Sequence, residues 1–187
     1  MSSSVLPSTA AILDALLHPP VPKSLSRGTV QAAIMDPIVA LHHNNSEQWD
    51  REDDVRKDNA DDARVAAAKR DIDRLNIARH GFIEAIDRAI LCAIDPRQGA
   101  PLVTESPGIA IDRLSVLVIR LGSTEARAAS GAADAELYRE RLPRLRSQLD
   151  ALENAIASLL DDLARGTRRF HVHESLKLYG SEDPRTS

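Results

Sequence analysis

Apolar residues recur at three- and four-residue steps along most of this chain, the spacing that places them on one face of an α-helix. Ile12, Leu13, Leu16 and Leu17 share such a face behind a capping Ser8. His18-Pro19-Pro20-Val21-Pro22 then ends that short helix in an extended linker. A second helix starts near Thr29, or at Asp36-Pro37 where an acid precedes an N1 proline, and runs to about Lys57. The third covers 60–94 with Gly81 as its only glycine and no proline. Asp95-Pro96 stops it, so it extends on the order of 50 Å at 1.5 Å per residue. Ser106-Pro107 opens a fourth helix, carrying Ile109, Ile111, Leu114, Leu117 and Val118 and breaking around Gly122 or Gly131. The last starts near Ala133, bends at or tolerates Pro143, and stops at Gly166. Its stripe Leu145, Leu149, Leu152, Ile156, Leu159 and Leu163 has the rhythm of a bundle seam.

The pattern predicts an all-α antiparallel bundle of about four long helices, with a short N-terminal helix and a docked C-terminal tail. Residues 1–28 hold the short helix and Pro-rich linker, 29–166 the bundle, and 167–187 the tail, in which Phe170, Leu176, Leu178 and Tyr179 are the docking candidates. Composition agrees: aromatics are only 3% of 187 residues, too few for a strand-rich fold. A net charge of -4 argues against a nucleic-acid partner. No run of about 20 apolar residues points to a membrane. The N-terminus lacks the basic start and apolar run of a secretion signal, so the expected compartment is the cytoplasm. A single cysteine, Cys92, excludes an internal disulfide; set among Ala89, Ile90, Leu91 and Ile94, it reads as a packed core thiol.

The helical pattern fails in one place. Residues 42–54 contain one apolar side chain, Trp49, the only tryptophan in the chain. At helical spacing the face there reads Ile38, His42, Asn45, Trp49, Glu52 with Asp53, and Arg56. The third helix has Arg79 where its stripe should be apolar, and beside the stripe run Lys69, Asp73, Asn76, His80 and Glu84. Two adjacent polar ladders either form solvated faces or enclose a hydrophilic pocket. A pocket needs its charges paired, Arg56, Lys69, Arg70 and Arg79 opposite Glu52, Asp53, Asp73 and Asp87. His42 and Glu52 are the candidates for proton transfer, although ten residues of helix separate them by about 15 Å. Asn45, Trp49, Asp53, Arg56, Lys69, Asp73, Asn76 and Arg79 are the candidates for binding. Ligand spacing for a metal is missing: there is no Glu-x-x-His, His42 and His43 point apart, and no cofactor is indicated. Ser115 has no histidine near it in sequence, which weakens a nucleophile reading.

Gln48-Trp49, Glu52-Asp53, Arg56, Lys69-Arg70-Asp71-Ile72-Asp73, Asn76 and Arg79 occur in an order that resembles the bacterial helical family catalogued as domain of unknown function 4254. Thr104-Glu105-Ser106-Pro107, Ile111-Asp112-Arg113-Leu114-Ser115 and the later Gln148, Ile156, Leu160, Gly166 and Lys177-Leu178-Tyr179 continue the resemblance over roughly 40–180. The chain departs from that pattern at Ile77 and His80-Gly81. The resemblance implies no assigned activity, and a setting near glycan or natural-product biosynthesis. Its polar motif coincides with the two ladders, which favours the pocket. The expected function is binding or transformation of a polar or anionic small molecule between the second and third helices. The alternatives are a non-catalytic adaptor and a purely structural polar network. Alanine-rich faces on the third helix (Ala66, Ala67, Ala68, Ala78, Ala85, Ala89) add the expectation of a homo-oligomer.

Overall fold

The computed structural model describes residues 5–20, 29–55 and 62–174. These form five helices, α1 (Thr9–Leu17), α2 (Val30–Val55), α3 (Asp62–Ala93), α4 (Pro107–Ala129) and α5 (Ala135–Ala164). No strand occurs among the described residues; one isolated parallel bridge joins Leu102 to Arg169. None of the helices is long and apolar enough to cross a membrane.

Local chemistry accounts for the helix ends. Ser8 Oγ accepts the Ala11 amide at 3.2 Å and Thr29 Oγ1 the Ala32 amide at 3.1 Å, each satisfying a donor the first helical turn leaves open. The earlier of the two possible starts for α2 is the real one, so Pro37 lies inside the helix. A proline there costs about 3 kcal/mol. Ile34, one turn before it and fully buried, supplies the compensating burial. Ser106 caps α4 with Pro107 next to it, as expected. This helix passes through the exposed Gly122 without a break and ends before Gly131, whose φ of 69° starts the turn into α5. At the end of α5, Gly166 takes φ 67°. The Thr167 amide bonds back to Asp162 O and the Gly166 amide to Leu163 O, the Schellman closure that a C-terminal glycine permits.

α4 is the central element. It packs against α1, α2, α3 and α5, and α2 and α3 form a long hairpin on one side of it. α5 lies on the other side, against α4 and α1, and its backbone approaches neither α2 nor α3 among the described residues. The core joins Ile34, Ile38 and Leu41 of α2, Ile83, Ile86 and Ile90 of α3, Ile111 and Leu114 of α4, and Ile156 and Leu163 of α5. Phe170 docks into it from the tail, 7% exposed; Leu176, Leu178 and Tyr179 lie outside the described residues. Cys92 is exposed, contrary to the core reading. The buried side of α3 is set by Ile83, Ile86, Asp87 and Ile90, and a residue two positions past Ile90 is turned about 200° away from that side.

The hairpin and α4 are fastened at a second point by Asp87, which is fully buried. Its Oδ1 accepts the Gly108 amide at 2.7 Å and its Oδ2 the His173 amide at 2.9 Å. Burial pushes this carboxyl above its ordinary value, against the pull of hydrogen bonds from Ser106, His173 and Gly108. Asp87 therefore ties the tail and the start of α4 to α3, rather than pairing with a cation across the hairpin.

Candidate functional site

One turn beyond the apolar contact of Ile38 and Leu41, the buried side of α2 becomes polar, and the facing side of α4 does the same. His42 and Asn45 from α2 meet Asp112 and Ser115 from α4, all four no more than 5% exposed. The Asn45 amide donates to Asp112 Oδ1 at 3.0 Å and to Ser115 Oγ at 3.1 Å. Ser115 Oγ also shares a hydrogen bond with His42 Nδ1, 3.0 Å away, its direction set by the imidazole tautomer. Arg79 of α3 closes the network, donating through Nε to Asp112 Oδ1 at 2.8 Å and through Nη2 to Asp112 Oδ2. This forked pairing is the geometry a guanidinium offers a carboxylate. The hydrogen bond to Asp112 holds Arg79 above its ordinary pKa, and Glu52 nearby adds to the effect.

Burial, with His43 beside it, lowers the His42 pKa to about 4. An unfolded imidazole titrates near pH 6.5, so below that pH the unfolded chain binds the proton first. The stability tied to neutral His42 is present above pH 6.5 and is lost as pH falls toward 4. The limiting slope is about 1.4 kcal/mol per pH unit. Urea unfolding at pH 7, 5.5 and 4.5 is expected to show a steeper loss in the wild type than in His42→Gln. Parallel profiles would mean that His42 does not stay neutral in the fold.

Arg79 sits at the edge of the network, its side chain 28% exposed, and lines a groove between α5 and the hairpin with α4 as its floor. The groove has two lobes that share Arg120 and Gln148. One, of about 750 Å³, is lined by Trp49 and Asp53 from α2, Arg120 and Arg127 from α4, and Tyr138, Arg141 and Arg144 from α5, among others. The other, of about 700 Å³, holds Arg79, Arg113, Val116, Leu117, Leu152 and Ala155. Arg127 is paired with Asp134 at 2.9 Å. Its guanidinium and that of Arg141 lie 5.9 and 5.3 Å from the Tyr138 ring. Among the described residues no carboxylate pairs with Arg120, Arg141 or Arg144.

The candidates read from the sequence separate into distinct groups. His42, Asn45 and Arg79 come together, but around α4 and not within the α2–α3 hairpin. Trp49, half-buried, and Asp53, exposed, face the groove. Glu52 is half-buried and accepts the Gln48 amide at 3.2 Å. Asn76 is half-buried, whereas Lys69 and Asp73 are exposed. Arg56 lies outside the described residues. Of the hairpin acids expected opposite Arg79, Glu52 acts on it through its charge, but the hydrogen-bonded partner is Asp112, because α4 lies against both hairpin helices and brings a carboxylate to the gap between them. No group of three His, Cys, Asp or Glu able to hold a metal occurs among the described residues. Asp112 and Ser115 are the residues that sequence reasoning left without a role. A signal existed, since both interrupt an apolar run on the buried face of α4, next to Ile111 and Leu114. The histidine that Ser115 lacks in sequence arrives from 73 residues away.

Comparison with curated proteins and with solved structures gives no match. The family model described as a protein of unknown function, DUF4254, matches residues 36–172, a span that runs from within α2, ahead of its polar face, past Phe170 of the tail. Both halves of the buried network and both walls of the groove fall inside it, and the chain belongs to that family.

Proposed function

We propose that the protein binds an anionic small molecule in the groove over α4, with Trp49 at one wall and Arg120, Arg141 and Arg144 as the receiving groups. The observation that carries this reading is the set of three guanidiniums without a carboxylate partner among the described residues, gathered on one concave surface. Like charges brought together repel, and a bound anion offsets that repulsion while satisfying planar N–H forks. Stacking Arg141 on Tyr138 restricts its guanidinium, so less rotamer freedom is lost on binding. His42, Asn45 and Ser115 have a positioning role: Ser115 is fully buried, and through Asp112 the network holds Arg79 at the groove. A phosphorylated or carboxylated intermediate of glycan or natural-product biosynthesis is a fitting ligand for such a site.

Trp49 is the sole tryptophan and reports directly on its lobe. Titration with inorganic pyrophosphate is expected to change its emission saturably, and Arg144→Ala is expected to weaken binding about tenfold, the loss of one charge-assisted contact. Affinity should also fall with added salt. Emission that ignores pyrophosphate in the folded wild-type protein would rule out the groove as an anion site.

A further inference from the structure

The two lobes differ in how their charges are spent. Beside Trp49, Arg120, Arg141 and Arg144 form no ion pair with a carboxylate among the described residues, although Asp53 lines the same lobe. In the second lobe the cations are already committed, Arg79 to Asp112 and Arg113 to Glu105 at 2.7 Å. What remains there is aliphatic: Val116, Leu117, Ala151, Leu152 and Ala155. Arg120 and Gln148 belong to both lobes, so the groove is continuous. Its floor follows α4 from Arg113 to Arg127, roughly 20 Å at the helical rise.

Resting on the anion-binding reading above, we infer that the occupant is an anionic amphiphile. Its phosphate or carboxylate head lies on Arg120, Arg141 and Arg144, and its hydrocarbon body crosses Arg120 to cover Val116 and Leu152. A ligand polar throughout, such as a sugar phosphate, leaves the aliphatic lobe in water and gains nothing from it. A hydrocarbon body removes that surface from water, worth about fourfold in affinity for each methylene buried. The half-buried Leu152 and Val116 and the exposed Ala151 and Ala155 offer the contact area. The head needs the unneutralised end of the groove and the body needs the neutralised end, which sets the orientation.

The test uses butyl phosphate and octyl phosphate, both as monomers, with Trp49 emission as the readout. The expected result is a Kd at least about 50-fold lower for octyl than for butyl phosphate, since four further methylenes are covered. Ala155→Glu, at an exposed position on the wall of the apolar lobe, is expected to remove that chain-length dependence while butyl phosphate still binds. Arg120→Ala with Arg144→Ala is expected to abolish binding of both. Equal affinity for the two alkyl phosphates would overturn the amphiphile and leave the anion site standing. Failure of pyrophosphate and both alkyl phosphates to bind would remove the site itself. Sedimentation with phosphatidic acid vesicles separates a bilayer headgroup from a single bound molecule. Binding to vesicles with none to monomeric octyl phosphate would also overturn the inference.

Discussion

Replacing Asp112 by Ala is expected to lower stability by about 3 kcal/mol, a large share of what a domain of this size possesses. The carboxylate is 5% exposed and accepts three hydrogen bonds, two from Arg79 and one from Asn45. Its removal leaves a guanidinium in the gap between α2, α3 and α4 without its hydrogen-bonded counter-ion, and with only the more distant charge of Glu52 to offset it. It also leaves the buried Asn45 amide with one partner fewer. Breaking a buried pair from one side costs about 3–5 kcal/mol, and the 28% exposure of the Arg79 side chain places this case at the lower end. Arg79→Ala should cost less, because an orphaned carboxyl can take up a proton and an orphaned guanidinium cannot release one. A double-mutant cycle in urea measures the coupling between the two. A loss below about 1 kcal/mol for Asp112→Ala would show that the network does not hold the three helices together.

A comparable loss, about 3 kcal/mol, is expected for Gly108→Ala, for a steric reason. A Cβ at Gly108 would lie 2.6 Å from Ile83 O and 2.8 Å from Asp87 Oδ1. Neither atom can swing aside: one is helix backbone and the other is held by the amides of Gly108 and His173. α3 and α4 must therefore separate, which stretches the Gly108–Asp87 hydrogen bond and opens the packing of Ile83 and Ile111. Gly81→Ala in α3 is the control, since nothing lies within 4 Å of its Cβ position. That exposed helical site should gain about 0.5–1 kcal/mol from the better helix former. If thermal unfolding shows the two substitutions with equal effect, the close approach of α3 and α4 at Gly108 is wrong.

Tertiary packing also chose between alternatives that the sequence left open, at Gly122 and Pro37, and overturned one expectation, at Cys92. Gly122 has the chemistry of a helix breaker, yet α4 continues through it, because the buried residues on either side keep the helix in register. Pro37 has the chemistry of a helix start, yet α2 begins earlier because Ile34 reaches the core. Cys92 lies in an apolar neighbourhood of sequence, but the direction of its side chain depends on which stripe of α3 meets α4. In each case a local preference worth about 1–3 kcal/mol yields to burial summed over several side chains.

The chain by itself determined its helical character, the caps at Ser8 and Ser106, the closing glycine at Gly166, and the abnormal polarity around Trp49. These depend on neighbours within a few residues, where propensity, capping and periodicity act. It also marked His42, Asn45 and Arg79 as polar groups on faces that should be apolar. Only the tertiary structure supplied their partners, Asp112 and Ser115, and only it brought the arginines of α4 and α5 to the tryptophan of α2. Hydrogen bonds and charge act over a few ångströms, whereas these residues stand 33 to 73 positions apart or more along the chain. Their meeting depends on how the hairpin and α5 pack on opposite sides of α4, which no local pattern encodes.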